Sequence, residues 1–210
     1  MRLWGRGSSI NVQKVLWTLL ELGLDFDHVE VGGRFGGLDT PRFLAMNPHG
    51  RIPVLEDGGA ALWESNAIVR YLCARYSPGA LCPQDPAGRA GQDQWMDWAA
   101  TTLQPAFMGF FWSWYRTPAA GRDERRCADL LAASHTAFAT FDKALAEPGL
   151  VRLAIGDIPA GALLYRYFTM DIDRPSLPRL EAWYTRLAER PAYRAGVMRP
   201  YDELKGRLAF

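Results

Sequence analysis

Two clusters of side chains in this sequence could do chemistry together. Ser8, Ser9 and Asn11 stand just ahead of an apolar helical pattern, at a helix N-terminus. A thiolate placed there would feel the positive end of the helix dipole and accept hydroxyl or amide hydrogen bonds, and both effects lower a thiol pKa. Lowering it from ~8.5 to ~6.5 corresponds to roughly 2.7 kcal/mol of preference for the charged form. The plainer reading of these residues is helix capping. Further along, Glu64 and Ser65 open a second helix. A helix N-terminus with a hydroxyl suits a carboxylate, and a neighbouring acid suits an ammonium group, so the pair forms a receptor for an amino-acid head group. Its plain alternative is a capped helix with a solvated acid. No Ser-His-Asp set is visible, and His28, His49 and His135 are too scattered for a metal cluster.

The elements that position these residues can be read around 47–72. Ile52-Val54-Leu55 and Ala61-Leu62-Trp63 are short apolar runs on either side of Glu56-Asp57-Gly58-Gly59-Ala60, a hairpin signal because glycine supplies the positive φ of a tight turn. Pro53 has no N–H to give a central strand and implies an edge, a bulge or a special turn. A cis bond before it would present the Ile52 backbone outward, where it could pair with an extended peptide. Ile68, Val69 and Leu72 then follow at helical spacing, which makes Ser65 the expected N-cap.

Nearer the start, Arg2 to Gly5 reads as a strand and Gly7-Ser8-Ser9 as a turn. Val12, Val15, Leu16, Leu19 and Leu20 form one face of a helix that stops at Gly23. Phe26 to Val31 is strand-like, and 32–37 is a glycine-rich loop with no Lys-Ser/Thr after it, so it is not a phosphate loop. The order strand, helix, strand, irregular helix, hairpin, helix is that of a thioredoxin-like domain.

Residues 78–86 read as a linker, and Asp85-Pro86 restarts helix with Asp as N-cap and Pro at the first position. A long helix follows, which Pro105 should kink. Phe107 to Tyr115 holds six aromatics in nine residues, more than one helical face can bury, so some rings are expected to line an apolar pocket or a subunit contact. Arg122 to Glu147 reads as the next helix, Gly156-Asp157-Ile158-Pro159 opens another, and Leu180, Trp183, Tyr184 and Leu187 mark one more. Arg190-Pro191-Ala192-Tyr193 starts a last short one. The expected division is 1–77, a linker at 78–86 and an all-α bundle over 87–210.

The totals exclude several classes. A formal charge of +1 on 210 residues implies no sequence-independent nucleic-acid binding. No run approaches the roughly eighteen apolar residues of a membrane span, and Met1-Arg2-Leu3-Trp4 lacks the apolar core of a signal peptide. Three cysteines without a Cys-x-x-Cys pair fit a reduced, cytoplasmic setting.

Ile52-Pro53-Val54-Leu55 followed by Leu62-Trp63-Glu64-Ser65-Asn66-Ala67-Ile68-Val69-Arg70-Tyr71-Leu72 resembles the glutathione-binding half of cytosolic glutathione S-transferases of bacterial, theta- or nu-like type. The resemblance runs essentially end to end. It implies that Pro53 is cis, that the Ile52 backbone pairs with the cysteinyl unit of glutathione, and that Glu64 and Ser65 hold the γ-glutamyl end. It also implies that His49 and Arg51 lie in the loop that holds the glycine carboxylate; delta-like proteins carry the histidine one place later, where Gly50 stands here. Ser9 falls where theta-, delta- and zeta-like enzymes place a catalytic serine. Ser9-Ile10-Asn11-Val12-Gln13-Lys14 is also similar to a Thr-Pro-Asn-x-x-Lys stretch of nu-class enzymes, which adds Asn11 as a second donor. The tyrosine of alpha, mu and pi enzymes and the cysteine of beta and omega enzymes have no counterpart. Where the family carries Ser or Thr three residues before Asp157, this chain has Ala154, so Asp157 must cap from one side only. The implied protein is a homodimeric transferase that activates glutathione against a small hydrophobic electrophile held near Phe107, Phe110 and Phe111, with no metal. The alternatives are a glutathione-dependent peroxidase, dehalogenase or isomerase on the same site, or a glutathione-binding protein without turnover.

Overall fold

The computed structural model describes residues 1–79, 81–145 and 153–209. The expected helix end at Glu147 and the linker residue Ala80 lie outside them. The chain divides into two compact units, one built from Met1–Arg89 with Pro191–Arg199 and the other from Ala90–Arg190 with Pro200–Ala209. Residues 191–199 therefore join the first unit, although the sequence reading grouped them with the helical half.

The first unit is a four-stranded sheet of order β2-β1-β3-β4, with β1 Arg2–Trp4, β2 Asp27–Val29, β3 Val54–Asp57 and β4 Ala60–Trp63. β1 runs parallel to β2 and antiparallel to β3, and β3–β4 is the expected hairpin. Its turn is Gly58-Gly59, with φ of 56° and 88°, so β3 runs on through Glu56 and Asp57 and β4 starts at Ala60, both beyond the apolar runs. The period-2 alternation of β1 sorts its side chains to two faces. Leu3 packs with Val12, Val15, Leu16 and Leu19 of α1 (Ile10–Glu21) and with Ile68 and Leu72 of α3 (Ser65–Tyr76). Trp4 turns to the other face, where its ring meets Phe43 of α2 (Pro41–Met46) at 6.5 Å. The glycine-rich loop is not shapeless: Gly33–Phe35 forms a 3₁₀ turn closed by Gly32 N–H donating to Gly36 O at 2.7 Å.

The helical unit begins within α4 (Pro86–Trp98), whose first turn is capped as expected by Asp85 accepting from Gly88 N–H at 2.7 Å. Pro105 does not end the helix. A π-helical stretch, Ala99–Leu103, precedes α5 (Gln104–Phe110), so the proline sits at the start of a new helical segment, where its missing N–H costs little. A second π-helical stretch, Phe111–Arg116, leads out. α6 (Glu124–Ala144), α7 (Asp157–Thr169) and α8 (Pro178–Glu189) follow, and α9 (Pro191–Gly196) returns to the first unit. Rings hold the bundle together: Trp98 stacks on Phe141 at 5.7 Å, and Phe138 stacks on Tyr167 at 3.9 Å.

Asp157, 5% exposed at the start of α7, caps from one side, accepting from Ala154 N–H at 2.8 Å. Burial pushes its carboxyl up to about 7, and the Ala154 bond only partly opposes this. An unfolded aspartate titrates near ~3.9, so between about pH 4 and 7 the folded chain keeps a proton that the unfolded chain releases. Stability should therefore fall as pH rises through that window, by on the order of a few kcal/mol. Asp157→Asn keeps an acceptor for Ala154 and removes the ionisation. Denaturant midpoints at pH 5 and pH 8 should show a smaller decline for the variant; equal declines would exclude Asp157 as the cause.

Candidate functional site

The turn from Gly5 to Ser9 joins β1 to α1, and its backbone groups find partners from several elements. Gly5 N–H donates to Val29 O at 2.9 Å, while His28 Nε2–H donates to Gly5 O at 2.7 Å. Gly7 N–H points at the Glu30 carboxylate, at 3.3 and 3.4 Å, and Gln13 Nε2–H donates to Gly7 O at 3.0 Å. Ser9 N–H donates to Arg6 O at 3.0 Å, and Ser9 O accepts the first helical bond from Gln13 N–H at 2.9 Å. Ser9 is thus the N-cap residue by backbone, with φ −85° and ψ 125°, yet its hydroxyl makes no capping bond. That removes the plain capping role for Ser9. Asn11 is the second residue of α1 and half-buried, and Ser8 is buried.

Ile52–Pro53 is cis. Gly5, at φ 146°, brings the first turn against this loop: a Cβ there would lie 2.5 Å from Val12 Cγ2 and 3.1 Å from Ile52 Cβ. The loop before it is built on Asn47, a buried residue whose Oδ1 accepts from His49 N–H at 3.0 Å and whose Nδ2–H donates to Arg51 O at 2.7 Å. Gly50 N–H closes back on Asn47 O at 3.0 Å. Both candidate residues of this loop are exposed, Arg51 freely at its end and His49 with its ring edge-on to Trp63 at 5.0 Å.

Glu64 is the one non-glycine residue among those described with positive φ, at φ 66° and ψ 111°. It, and not Ser65, is the N-cap of α3. The strained backbone swings the chain from β4 directly into helix, so Glu64 O takes the first bond, from Ile68 N–H at 2.9 Å, and Ser65 is already the first helical residue. Glu64 is exposed and Ser65 buried, so the acid stands out from the surface beside a hydroxyl recessed at the helix start. Behind them Lys14 of α1 is 1% exposed; burial lowers its ammonium to about 7, and the Glu64 carboxylate pulls the other way.

The aromatic cluster separates by face. Phe107 packs edge-on to Phe138 and Tyr167 at 5.7 and 5.9 Å, and Phe111 packs on Tyr115 and Tyr201, so both are core rings. Phe110 lines a cavity of about 430 Å³ together with Trp114, Leu131, Cys127, Glu124, Asp171 and Asp173. Among the described residues no three His, Cys, Asp or Glu are grouped to hold a metal ion, and no helix is long and apolar enough to cross a membrane.

Sequence reasoning missed Gln13, His28, Glu30 and Asn47, all of which act on backbone groups. Asn47 had a signal, since Asn-Pro-His-Gly is a side-chain-supported turn sequence. The other three had none: His28 and Glu30 reach Gly5 and Gly7 from 23 residues away, and no turn pattern marks the bond from Gln13 to Gly7.

Residues 3–80 match the family described as glutathione S-transferase, N-terminal domain. The chain is 41% identical over 203 residues to glutathione S-transferase GstB of Escherichia coli K12, covering 94% of this chain and 98% of that protein. Among solved structures it is similar to a theta class glutathione S-transferase from Xanthomonas axonopodis pv. citri with glutathione bound, with TM-score 0.89, 50% identity and coverage of 95% and 98%. A glutathione S-transferase from Pseudomonas fluorescens aligns with TM-score 0.76 at 29% identity, over 91% of this chain and 96% of that one.

The strain at Glu64 can be isolated by comparing two substitutions that both delete the carboxylate. Glu64→Gly should be more stable than Glu64→Ala by about 1–2 kcal/mol, because only glycine adopts this φ without cost. Chemical denaturation of the two variants measures it; an alanine variant as stable as the glycine one would mean that the backbone is unstrained.

Proposed function

This chain belongs to the glutathione S-transferase family, and we propose on that footing that its first unit binds glutathione and activates the thiol for attack on a small hydrophobic electrophile. Glu64 takes the ammonium of the γ-glutamyl end, while Ser65 and the first N–H groups of α3 take its carboxylate. The Ile52 backbone, before the cis Pro53, pairs with the cysteinyl unit. Arg51 takes the glycine carboxylate, with His49 in the same loop.

Ser9 donates its hydroxyl to the thiolate, and Asn11 is the second donor at the same helix end. The observation that carries this reading is that Ser9 stands at the N-cap of α1 with its hydroxyl not spent on capping, on a turn whose backbone is held by other residues. Hydrogen bonding and the helix dipole both favour the charged sulfur, so the thiol ionises nearer neutral pH. Holding it beside an electrophile then converts a bimolecular encounter into a local one. Of the expected aromatic residues, Phe110 is the one we assign to electrophile contact, since its ring borders a cavity.

The working protein is a two-fold dimer in the cytoplasm. Free, buried thiols at Cys73, Cys82 and Cys127 are consistent with a reducing compartment. Light scattering on dilute protein should give about twice the 23.5 kDa chain mass, and a clean monomer would remove the dimer.

The catalytic assignment is tested by the ultraviolet absorbance of bound thiolate against pH. Ser9→Ala should raise the pKa of bound glutathione by about one unit or more, one unit being ~1.36 kcal/mol. Affinity for S-methylglutathione, which has no thiol to ionise, should stay the same. Asn11→Ala should give a like shift if the amide is the stronger donor. No shift in either variant would leave the helix N-terminus alone as activator and withdraw Ser9.

A further inference from the structure

The segment 191–199 lies against the first turn of the chain. Tyr193 of α9 sets its ring edge-on to Trp17 of α1 at 4.9 Å. Gly196 permits the approach: a Cβ there would stand 2.8 Å from Trp17 N and Cα. Val197 N–H donates to Tyr193 O at 2.8 Å, and Arg199 N–H to Val197 O at 2.7 Å, so the backbone beyond α9 folds back on itself. Arg199 Nη1–H also reaches Ala195 O, at 3.4 Å. This lays the half-buried guanidinium on Gly7. A Cβ at Gly7 would lie 2.7 Å from Arg199 Nε, 2.9 Å from Nη2 and 3.0 Å from Cζ.

Gly7 is therefore held from three directions. Glu30, just past β2, accepts from its N–H at 3.3 Å, Gln13 of α1 donates to its carbonyl at 3.0 Å, and the Arg199 plane covers its Cα. Ser9 follows two residues later on the same short turn. We propose that Arg199 and Glu30 are positioning residues for the reaction: by clamping Gly7 they fix the Gly5–Ser9 turn, and with it the place of the Ser9 hydroxyl. The inference rests on the thiolate-stabilising role of Ser9. Its physical basis is that a donor displaced by a fraction of an ångström still tolerates binding of the peptide but no longer meets the sulfur.

The experiment compares Arg199→Ala, Arg199→Lys, Glu30→Ala and Ser9→Ala for bound-thiolate pKa, for S-methylglutathione affinity by calorimetry, and for kcat and KM. Arg199→Ala and Glu30→Ala should each raise the pKa of bound glutathione by about half a unit to one unit, and S-methylglutathione affinity should stay within about twofold. kcat should fall with little change in KM for glutathione, the pattern of an interaction realised at the reacting centre. Arg199→Lys keeps the charge but loses the planar fork, and its shift should be intermediate. A general weakening of the unit would lower S-methylglutathione affinity and leave the thiolate pKa of the remaining complex alone, and that result overturns the proposal. So does a normal pKa in both Arg199→Ala and Glu30→Ala while Ser9→Ala is shifted, which would leave the role of Ser9 intact. A normal pKa in Ser9→Ala removes both. If Arg199→Ala does not fold, Glu30→Ala reports on the same clamp from the opposite side of Gly7.

Discussion

Backbone polar groups that leave water must be bonded, and in the Gly5–Ser9 turn that requirement governs how the whole first unit is arranged. A turn at the head of a helix would ordinarily spend its serine on the orphan N–H groups. Here Gly5 and Gly7 are bonded from outside the turn, by His28, Glu30, Gln13 and Val29, and the Ser9 hydroxyl makes no capping bond to its own helix. The same economy recurs at Asn47, whose amide organises the 47–51 loop and leaves His49 and Arg51 at the surface. Residues that shape the site thus differ from residues that would meet a ligand.

Much of this was legible in the sequence, because local rules write it there. The glycine pair at 58 and 59, the period of α1 and the Asp85-Pro86 helix start each follow from residue type and spacing, and each is found, while the one-sided cap at Asp157 came from the resemblance. Resemblance supplied the cis bond before Pro53, which residue type alone leaves open. Ser65 was misread as the N-cap because positive φ is expected of glycine or asparagine, and nothing in the letters Glu-Ser announces that the acid will carry it. The π-helical stretch ahead of Pro105 was not foreseen, because it is a property of the folded helix and leaves no composition signal. Phe107 and Phe111 could not be sorted from Phe110, since three rings within five positions find different neighbours only once α6 and α7 are in place. The clamp on Gly7 was invisible for the plainest reason: Arg199 and Gly7 stand at opposite ends of the chain.

Two features of the first unit cost stability. Glu64 holds a backbone conformation that costs energy, and Lys14 is buried with only partial electrostatic compensation. Lys14 belongs to α1 and Glu64 caps α3, the two helices that pack on the apolar cluster of Leu3, Val15, Leu16, Ile68 and Leu72. A well-packed core of that kind is what allows two unfavourable features to persist side by side.

The return of α9 to α1 has a consequence for how the chain is made. Trp17 has no solvent exposure in the finished protein, and part of its cover comes from Tyr193 and Gly196, which leave the ribosome long after it. The first unit is therefore discontinuous, and synthesis from the N-terminus cannot complete it until residues 191–199 have emerged. Until then the Trp17 face of α1 is an exposed apolar surface on a nascent chain, the kind of surface that chaperones hold and that aggregation exploits. A stop codon or frameshift just ahead of Pro191 would leave the entire sheet and all of α1 in the product, and still deliver a unit with its tryptophan uncovered.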